Sequence, residues 1–440
     1  MLEWNVIQGR GFRNVVENGM VTGFQFDLRN PNYRGGWASL VDGVEVIIDG
    51  EKIESHVPLW TLQGRTFTRD ELRASDARWG LDELARITVP KPGGLGTGVH
   101  QIQVTIFIRR SYFPPMIERS SFSADRSAVI VPPAPEGDLK WCVSTYSYAN
   151  DINTLMTLED VLADVADLGA TGIEILGEGN VPGYPTPDAA WVDHWHGMVQ
   201  RLGLTPTNFG SWVDTTRWHD RALTAEEATD QLQLDLRLAH QLGFTSVRPK
   251  FGVTSWHLDP HPVWRDAVLG SLDLAAELDV VICPEIHAPT PIKHPVTQGY
   301  IDLIEETGSK HFKLLIDTGI FQTAPVLENA EHIEVIDGGD VPEHLRPLNV
   351  PMEDLRDVLP HVHFIQAKFF DIDDDLHDRH IPWEPILTTL REAGWSGWLS
   401  SEYEGVRDPY RGADQVRRQH ALLRGLVRGG TAASTDSRRS

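Results

Sequence analysis

From Trp141 onward the chain alternates short apolar runs with helix-like segments of about 12 to 18 residues, a pattern that restricts the possible folds more than any other feature. Eight runs stand out: WCVSTYS, TGIEIL, PTNFGSW, TSVRPKF, VVICPEI, FKLLIDT, HFIQAKF and GWLSSEY. Parallel strands can be joined only through crossovers long enough to hold a helix, so this rhythm reads as strand-helix units. Eight units in about 290 residues predict a closed (β/α)8 barrel. A doubly wound open sheet is normally shorter and would carry a Gly-rich phosphate loop after its first strand, which is absent. Between the runs, LEDVLADVADLG has apolar residues at helical spacing, and AEEATDQLQLDLRLAHQLG opens after Thr224, a candidate N-cap.

The first 128 residues follow another rhythm, with short strands broken by turns: VTGFQFDLRN, WASLVDGVEVIIDGEKI, RITVP and HQIQVTIFIRR. Asp49-Gly50 between two alternating runs predicts a hairpin, because a tight primed turn needs positive φ. The expectation is an antiparallel β-sandwich interrupted by one helix, roughly Thr68 to Arg86. Residues 129–140, rich in proline, read as a linker, 141–428 as the barrel, and 429–440 as a disordered tail with too little apolar content to fold.

At 440 residues the chain exceeds what one core normally serves, in keeping with two domains. Its formal charge of -24 repels phosphate backbones and argues against nucleic acid as a partner. No apolar stretch approaches the roughly 20 residues of a membrane helix. The N-terminus lacks the pattern of a secretory signal, and two cysteines make neither a disulfide framework nor a Cys-rich zinc site, so a cytoplasmic protein is expected.

In such a barrel chemistry belongs at the C-terminal strand ends. Strand five ends in Glu285 and His287 (CPEIHAPT), strand six in Asp317 (LLIDTG), strand seven in Gln366 and Lys368 (FIQAKFFD), strand eight in Glu402 and Glu404 (LSSEYEG). Carboxylates converging on one mouth repel, raise one another's pKa values and cost several kcal/mol unless a positive group lies between them. Singly, each acid reads as a salt bridge or loop cap. Jointly, Glu285, Asp317 and Glu402 point to a divalent cation, with oxygen ligands favouring Mg²⁺ or Mn²⁺ and imidazole drawing preference toward Mn²⁺, Co²⁺ or Zn²⁺. Mn²⁺ is the expected ion.

Other polar groups have weaker claims. Tyr146, Glu174, Glu178, Asp214, Arg248 and Lys250 are candidates for binding substrate or for rim salt bridges, and Trp212, Trp256 and Phe369-Phe370 for stacking or for the core. His194 and His196 lie in a predicted helix, where i and i+2 point apart. DIDDDLHD (371–378) lacks the glycine and closing glutamate of a calcium hand and reads as a solvated loop. The long segment from Gln322 to Val350 is expected to cover the barrel mouth, unless the β-domain does so.

At these strand ends residues 138 to about 428 resemble the xylose-isomerase-like barrel superfamily, including sugar-phosphate isomerases and epimerases, which holds its metal with Glu, Asp, His and Glu from strands five to eight. Glu285, Asp317 and Glu402 match the first, second and fourth, while Gln366 stands where His is usual. An amide oxygen can still ligate a hard cation; His363, the alternative, lies too early in its strand. The stretches WASLVDGVEVIIDGE and LQGRTFTRDEL resemble the small subunit of bacterial C-glycoside deglycosidases, and CPEIHAPT and IQAKFF suit the large one.

The resemblance implies metal-dependent cleavage of a 3-oxo-C-glycoside with an aromatic aglycone, the ketone being made upstream by a sugar oxidoreductase. A homo-oligomer acting on this small molecule is expected. His287 is then the candidate base, acting near neutral pH, or support for a metal ligand. Lys368 stabilises a developing oxyanion or neutralises the acids. The alternatives are a keto-sugar isomerase or epimerase sharing the same chemistry, an abasic-site endonuclease disfavoured by the charge, and a noncatalytic receptor.

Overall fold

The structure is a computed structural model that describes residues 2–255, 258–326 and 346–436. It divides into two compact units, Met1–Pro132 with Asp374–Leu376, and Pro133–Asp373 with His377–Ser440. In the first unit two antiparallel sheets share one core, as predicted. One sheet runs in the order Arg13–Glu17, Met20–Arg29, Leu84–Pro90, Leu59–Leu62, Arg65–Phe67; the other runs Arg119–Ile130, Gly98–Arg109, Val41–Ile48, Glu51–Ile53. Alternate residues of both, among them Phe24, Phe26, Val46, Ile87, Val104 and Ile106, are fully or almost fully buried in a single cluster. The Asp49-Gly50 hairpin is present, with Ile48 opposite Glu51 and φ of 49° and 82° at the two turn residues.

The helix expected over Thr68–Arg86 is confined to Arg69–Arg73. Its start signal holds, since Thr68 Oγ1 accepts from the Glu71 backbone N–H while the Glu71 carboxylate accepts from that of Thr68. Beyond it the chain forms a short strand, Arg78–Trp79, and then enters the strand Leu84–Pro90, which is paired on both sides with Ala85, Ile87 and Val89 pointing into the core. Tertiary pairing overrides local helical preference there. The strand Arg119–Ile130 also runs two residues into the predicted linker, and the helix Arg411–Asp436 continues through most of the segment expected to be structureless, with 437–440 outside the described residues.

The second unit is the predicted barrel. Its strands are Lys140–Ser144, Gly172–Leu176, Thr205–Val213, Ser246–Phe251, a fifth in two pieces (Val281–Ile282 and Glu285–Ile286), Leu314–Asp317, Val362–Phe369 and Trp398–Tyr403, all parallel. The ring closes through strand five, whose first piece pairs with strand four and whose second pairs with strand six. Pro284 divides it because proline has no N–H for the ladder. Cys283 N still donates to Val247 O, and Leu315 N to Pro284 O, so the divided strand bridges both neighbours. The helices Leu158–Asp167 and Ala225–Gln241 form where their periodicity predicts, capped by Thr157 and Thr224.

Inward side chains fill the barrel in tiers. At the base, Cys142, Cys283, Leu315 and Phe364 form an apolar cluster with Trp398 against it. Above it lies a polar tier. Glu174 accepts hydrogen bonds from Asn208 Nδ2 (2.9 Å), Gln366 Nε2 (2.8 Å) and Ser400 Oγ (2.7 Å), while Ser246 Oγ donates to Asn208 Oδ1 (2.8 Å). A buried carboxylate survives there because its neighbours satisfy it. Burial nonetheless raises its pKa. Among the described residues, no helix is long and apolar enough to cross a membrane.

The first and last barrel helices are joined by a buried ion pair: Asp164 accepts from Arg417 Nη1 (2.9 Å) and Nη2 (2.5 Å), and from Tyr148 OH (2.8 Å). Removing the carboxylate leaves the buried guanidinium, among the described residues, only Asp167, 3.6 Å away, and the Ala413 carbonyl, a loss of about 3 kcal/mol, the low end for a broken buried pair. Asp164→Ala should therefore lower the unfolding free energy by about 3 kcal/mol in urea titration; a loss below about 1 kcal/mol, typical of an exposed pair, would show that the contact holds little together.

Candidate metal centre

Above the polar tier the strand ends deliver charge. One carboxylate oxygen from each of Glu285, Asp317 and Glu402 lies within 4.8 Å of the others. These are the three acids expected to converge, and strand parity explains it, because each lies at the C-terminal end of its strand on the inward face. Asp317 is fixed by two contacts: Gly319 N donates to Oδ1 (2.6 Å), and the Lys368 ammonium lies 2.6 Å from Oδ2. Gly319 leaves room for that lysine, since a Cβ there would lie 3.1 Å from Lys368 Cδ.

Lys368 is not free to serve a substrate oxyanion alone. Its Nζ also lies 3.1 Å from Glu404 and 3.6 Å from Glu402, making it the counter-ion of the acid cluster. Glu285 has its own cation, with Arg248 Nη1 3.6 Å away and the Arg248 guanidinium 5.2 Å from the centre of the Trp212 ring. Burial pushes Asp317 up to about 7, with Glu285 and Glu404 adding to it against Lys368. Burial likewise raises Glu402 well above the usual carboxylate range, reinforced by Asp317. For Glu285 burial acts the same way but is outweighed by His287, Arg248, Lys250 and Lys368, which hold it far below its ordinary value.

Gln366 sits one turn of the strand pleat deeper, donating Nε2 to Glu174 (2.8 Å) and to Glu402 Oε1 (3.1 Å). Its amide nitrogen thus positions Glu402, while its buried Oε1 has no hydrogen-bond partner among the described residues. His287 donates from Nδ1 to Ala288 O (2.5 Å), leaving Nε2 to Lys250 Nζ at 2.9 Å. Burial brings its pKa down to about 4 against the opposing charge of Glu285, with Lys250 and Lys368 adding to burial. It is therefore a neutral imidazole at pH 7, rather than the group titrating near neutrality that its unperturbed pKa suggests.

The weaker candidates divide. Glu174 is buried in the polar tier and does not line the rim, and Phe369 and Phe370 are core residues packed on Tyr403 and His380. Glu178 and Asp214 are exposed, and Tyr146 packs under the Arg407 guanidinium (5.0 Å). His363 is far from the mouth in register, beside Lys140 and Lys313 at strand beginnings. His194 and His196 are helical, with His196 on Gln241 O. The 371–378 loop is less solvated than expected: Asp378 is largely buried, accepting from the backbones of His380 and Ile381 and from Trp383 Nε1, and Asp371 accepts from Arg411. Trp256 and residues 327–345 of the expected cover lie outside the described residues. Glu404 and Lys250, which complete the charge pattern, follow from the same i, i+2 parity as Glu402 and Arg248.

The donor set fits a divalent cation: three converging carboxylates, a partnerless amide oxygen beside them, and a lysine standing among the acids. Mn²⁺ at about 100 times its dissociation constant should add about 2.7 kcal/mol to the native state. Thermal unfolding of the wild type with and without the ion should show this gain, and Glu402→Gln should lose most of it. An unchanged gain in the variant would remove Glu402 from the ligand set.

Residues 162–426 match the family described as xylose isomerase-like TIM barrel, and residues 2–112 match the C-glycoside deglycosidase beta subunit. The chain is 26% identical over 324 residues to a 3'-dehydrocarminate deglycosidase alpha subunit from Microbacterium sp, an alignment covering 61% of this chain and 89% of that one. It is 35% identical over 134 residues to a C-glycoside deglycosidase beta subunit from Eubacterium cellulosolvens, covering 30% of this chain and 90% of the relative. A C-glycoside deglycosidase alpha subunit from Arthrobacter globiformis is 26% identical over 335 residues, covering 65% of this chain and 91% of the relative.

Proposed function

The chain belongs to the xylose isomerase-like TIM barrel family and carries a C-glycoside deglycosidase beta-subunit domain ahead of the barrel, and on that premise we propose that it is a carbon-carbon lyase cleaving 3-oxo-C-glycosides. The observation that carries this reading is the convergence of Glu285, Asp317 and Glu402 at the mouth of a barrel fused to such a domain. The names of the relatives support a C-glycoside substrate, and the 3'-dehydro form in one name supports a ketone at carbon 3.

A divalent cation, Mn²⁺ by preference, held by Glu285, Asp317 and Glu402 with Gln366 Oε1 as an available fourth oxygen, would supply Lewis acidity to the sugar carbonyl and a neighbouring hydroxyl. The chain's own groups do the remainder. Gln366, anchored on Glu174, keeps Glu402 oriented. Arg248 holds Glu285 ionised, and Lys368 keeps the other acids together without a bound cation. His287, neutral and fixed through Nδ1, offers Nε2 as the base for the proton on carbon 2, next to the ketone. Loss of that proton gives an enediolate from which the aglycone can be expelled. The upstream step must be an oxidation at carbon 3, since an unoxidised sugar has no acidic proton at carbon 2.

Purified protein with Mn²⁺ and a 3-oxo-C-glucoside should release free aglycone, measured by chromatography. His287→Ala should abolish release while keeping Mn²⁺ stabilisation. Epimerised sugar without free aglycone would replace cleavage by isomerisation, and loss of Mn²⁺ stabilisation in the variant would make His287 a structural support.

A further inference from the structure

His287 does not face the mouth alone. The carbonyl of Ala288 can only accept, so the 2.5 Å contact places the hydrogen on Nδ1 and the lone pair on Nε2. Lys250 Nζ lies 2.9 Å from that lone pair and donates to it. Lys250 comes from the end of strand four, two residues beyond Arg248 on the same face, and with His287 and Glu285 it lines one small cavity walled by Phe251, Val253 and Tyr300. The two lysines of the mouth differ. Lys368 is held by three carboxylates within 3.6 Å, whereas the side-chain partner of Lys250 among the described residues is an imidazole.

Cleaving a bond to carbon makes a demand that base catalysis does not meet, because the departing carbon keeps the electron pair and needs a proton. We infer that Lys250 is a second catalytic residue, the acid that protonates the aglycone carbon as the bond breaks, paired with His287 as the base. This rests on the cleavage reading above. Substrate draws the ammonium away from Nε2 on its flexible four-carbon stem. The proton on carbon 2 passes to Nε2, and the C–H electron pair forms the enediolate. That pair then moves between carbons 1 and 2, the carbonyl reforms at carbon 3, and the pair of the breaking bond takes a proton from Lys250 Nζ. The imidazolium returns its proton to the neutral amine across the 2.9 Å contact. One proton moves from sugar to aglycone, and nothing is oxidised or reduced.

The test uses the full-length chain with Mn²⁺ and Lys250→Met, following by NMR both deuterium uptake at carbon 2 from heavy water and aglycone release. Lys250→Met should keep uptake within about threefold of wild type and lose release from the C-glycoside by about 100-fold or more. It should still release 4-nitrophenolate from the 3-oxo-O-glucoside within about tenfold of wild type, because that leaving group needs no proton. Wild-type release of the C-glycoside aglycone by Lys250→Met overturns the inference. So does parallel loss of uptake and of both cleavages, which would make Lys250 a support for His287. A wild-type protein that exchanges carbon 2 but never frees an aglycone overturns the cleavage reading, and the inference with it.

Discussion

Three carboxylates that each end a barrel strand are brought within 4.8 Å of one another in a buried mouth, and everything around them answers their repulsion. Two like charges about 4 Å apart at an effective dielectric of about 20 oppose each other by about 4 kcal/mol, a large fraction of a domain's stability. Arg248 answers Glu285. Lys368 stands among Asp317, Glu402 and Glu404, one ammonium shared by three carboxylates, with Arg407 also acting on Glu404. Without a bound cation the remaining negative charge is absorbed by protonation, in the direction that Asp317 and Glu402 are shifted. A divalent ion has the charge to offset it.

The tiers beneath make that arrangement tolerable. An apolar base fills the ring, and the hydrogen-bonded tier of Glu174, Asn208, Ser400 and Gln366 fixes the orientation of Glu402 from below. A histidine at 366 could serve as a ligand, but an amide can donate to two carboxylates at once and leave its oxygen over. The substitution that departs from the family pattern thus changes which atom meets the site. Pro284 matters for a related reason: by dividing strand five it sets Glu285 on a short second piece that pairs with strand six, which carries Asp317, and leaves His287 just beyond that piece.

Much of this was legible in the sequence because burial and period are local signals. Eight apolar runs separated by amphipathic segments predict eight strands, and parity predicts which terminal residues face inward, so Glu285, Asp317 and Glu402 could be placed together. What was illegible depends on partners remote in sequence. Leu84–Pro90 follows a genuine capping box, yet it becomes a strand because Met20–Arg29 and Leu59–Leu62 flank it. The imidazole of His287 reads as a neutral-pH base until burial and Lys250 lower its pKa. Glu174 reads as a rim acid until Gln366, 192 residues away, is found donating to it.

The claim on which the chemistry depends is that the three strand-end carboxylates share one divalent ion. Anomalous diffraction from crystals grown with Mn²⁺ tests it directly. The account predicts a single strong manganese peak bounded by Glu285, Asp317 and Glu402. A mouth without a peak, with the Lys368 ammonium still centred on Asp317 and Glu404, would contradict it.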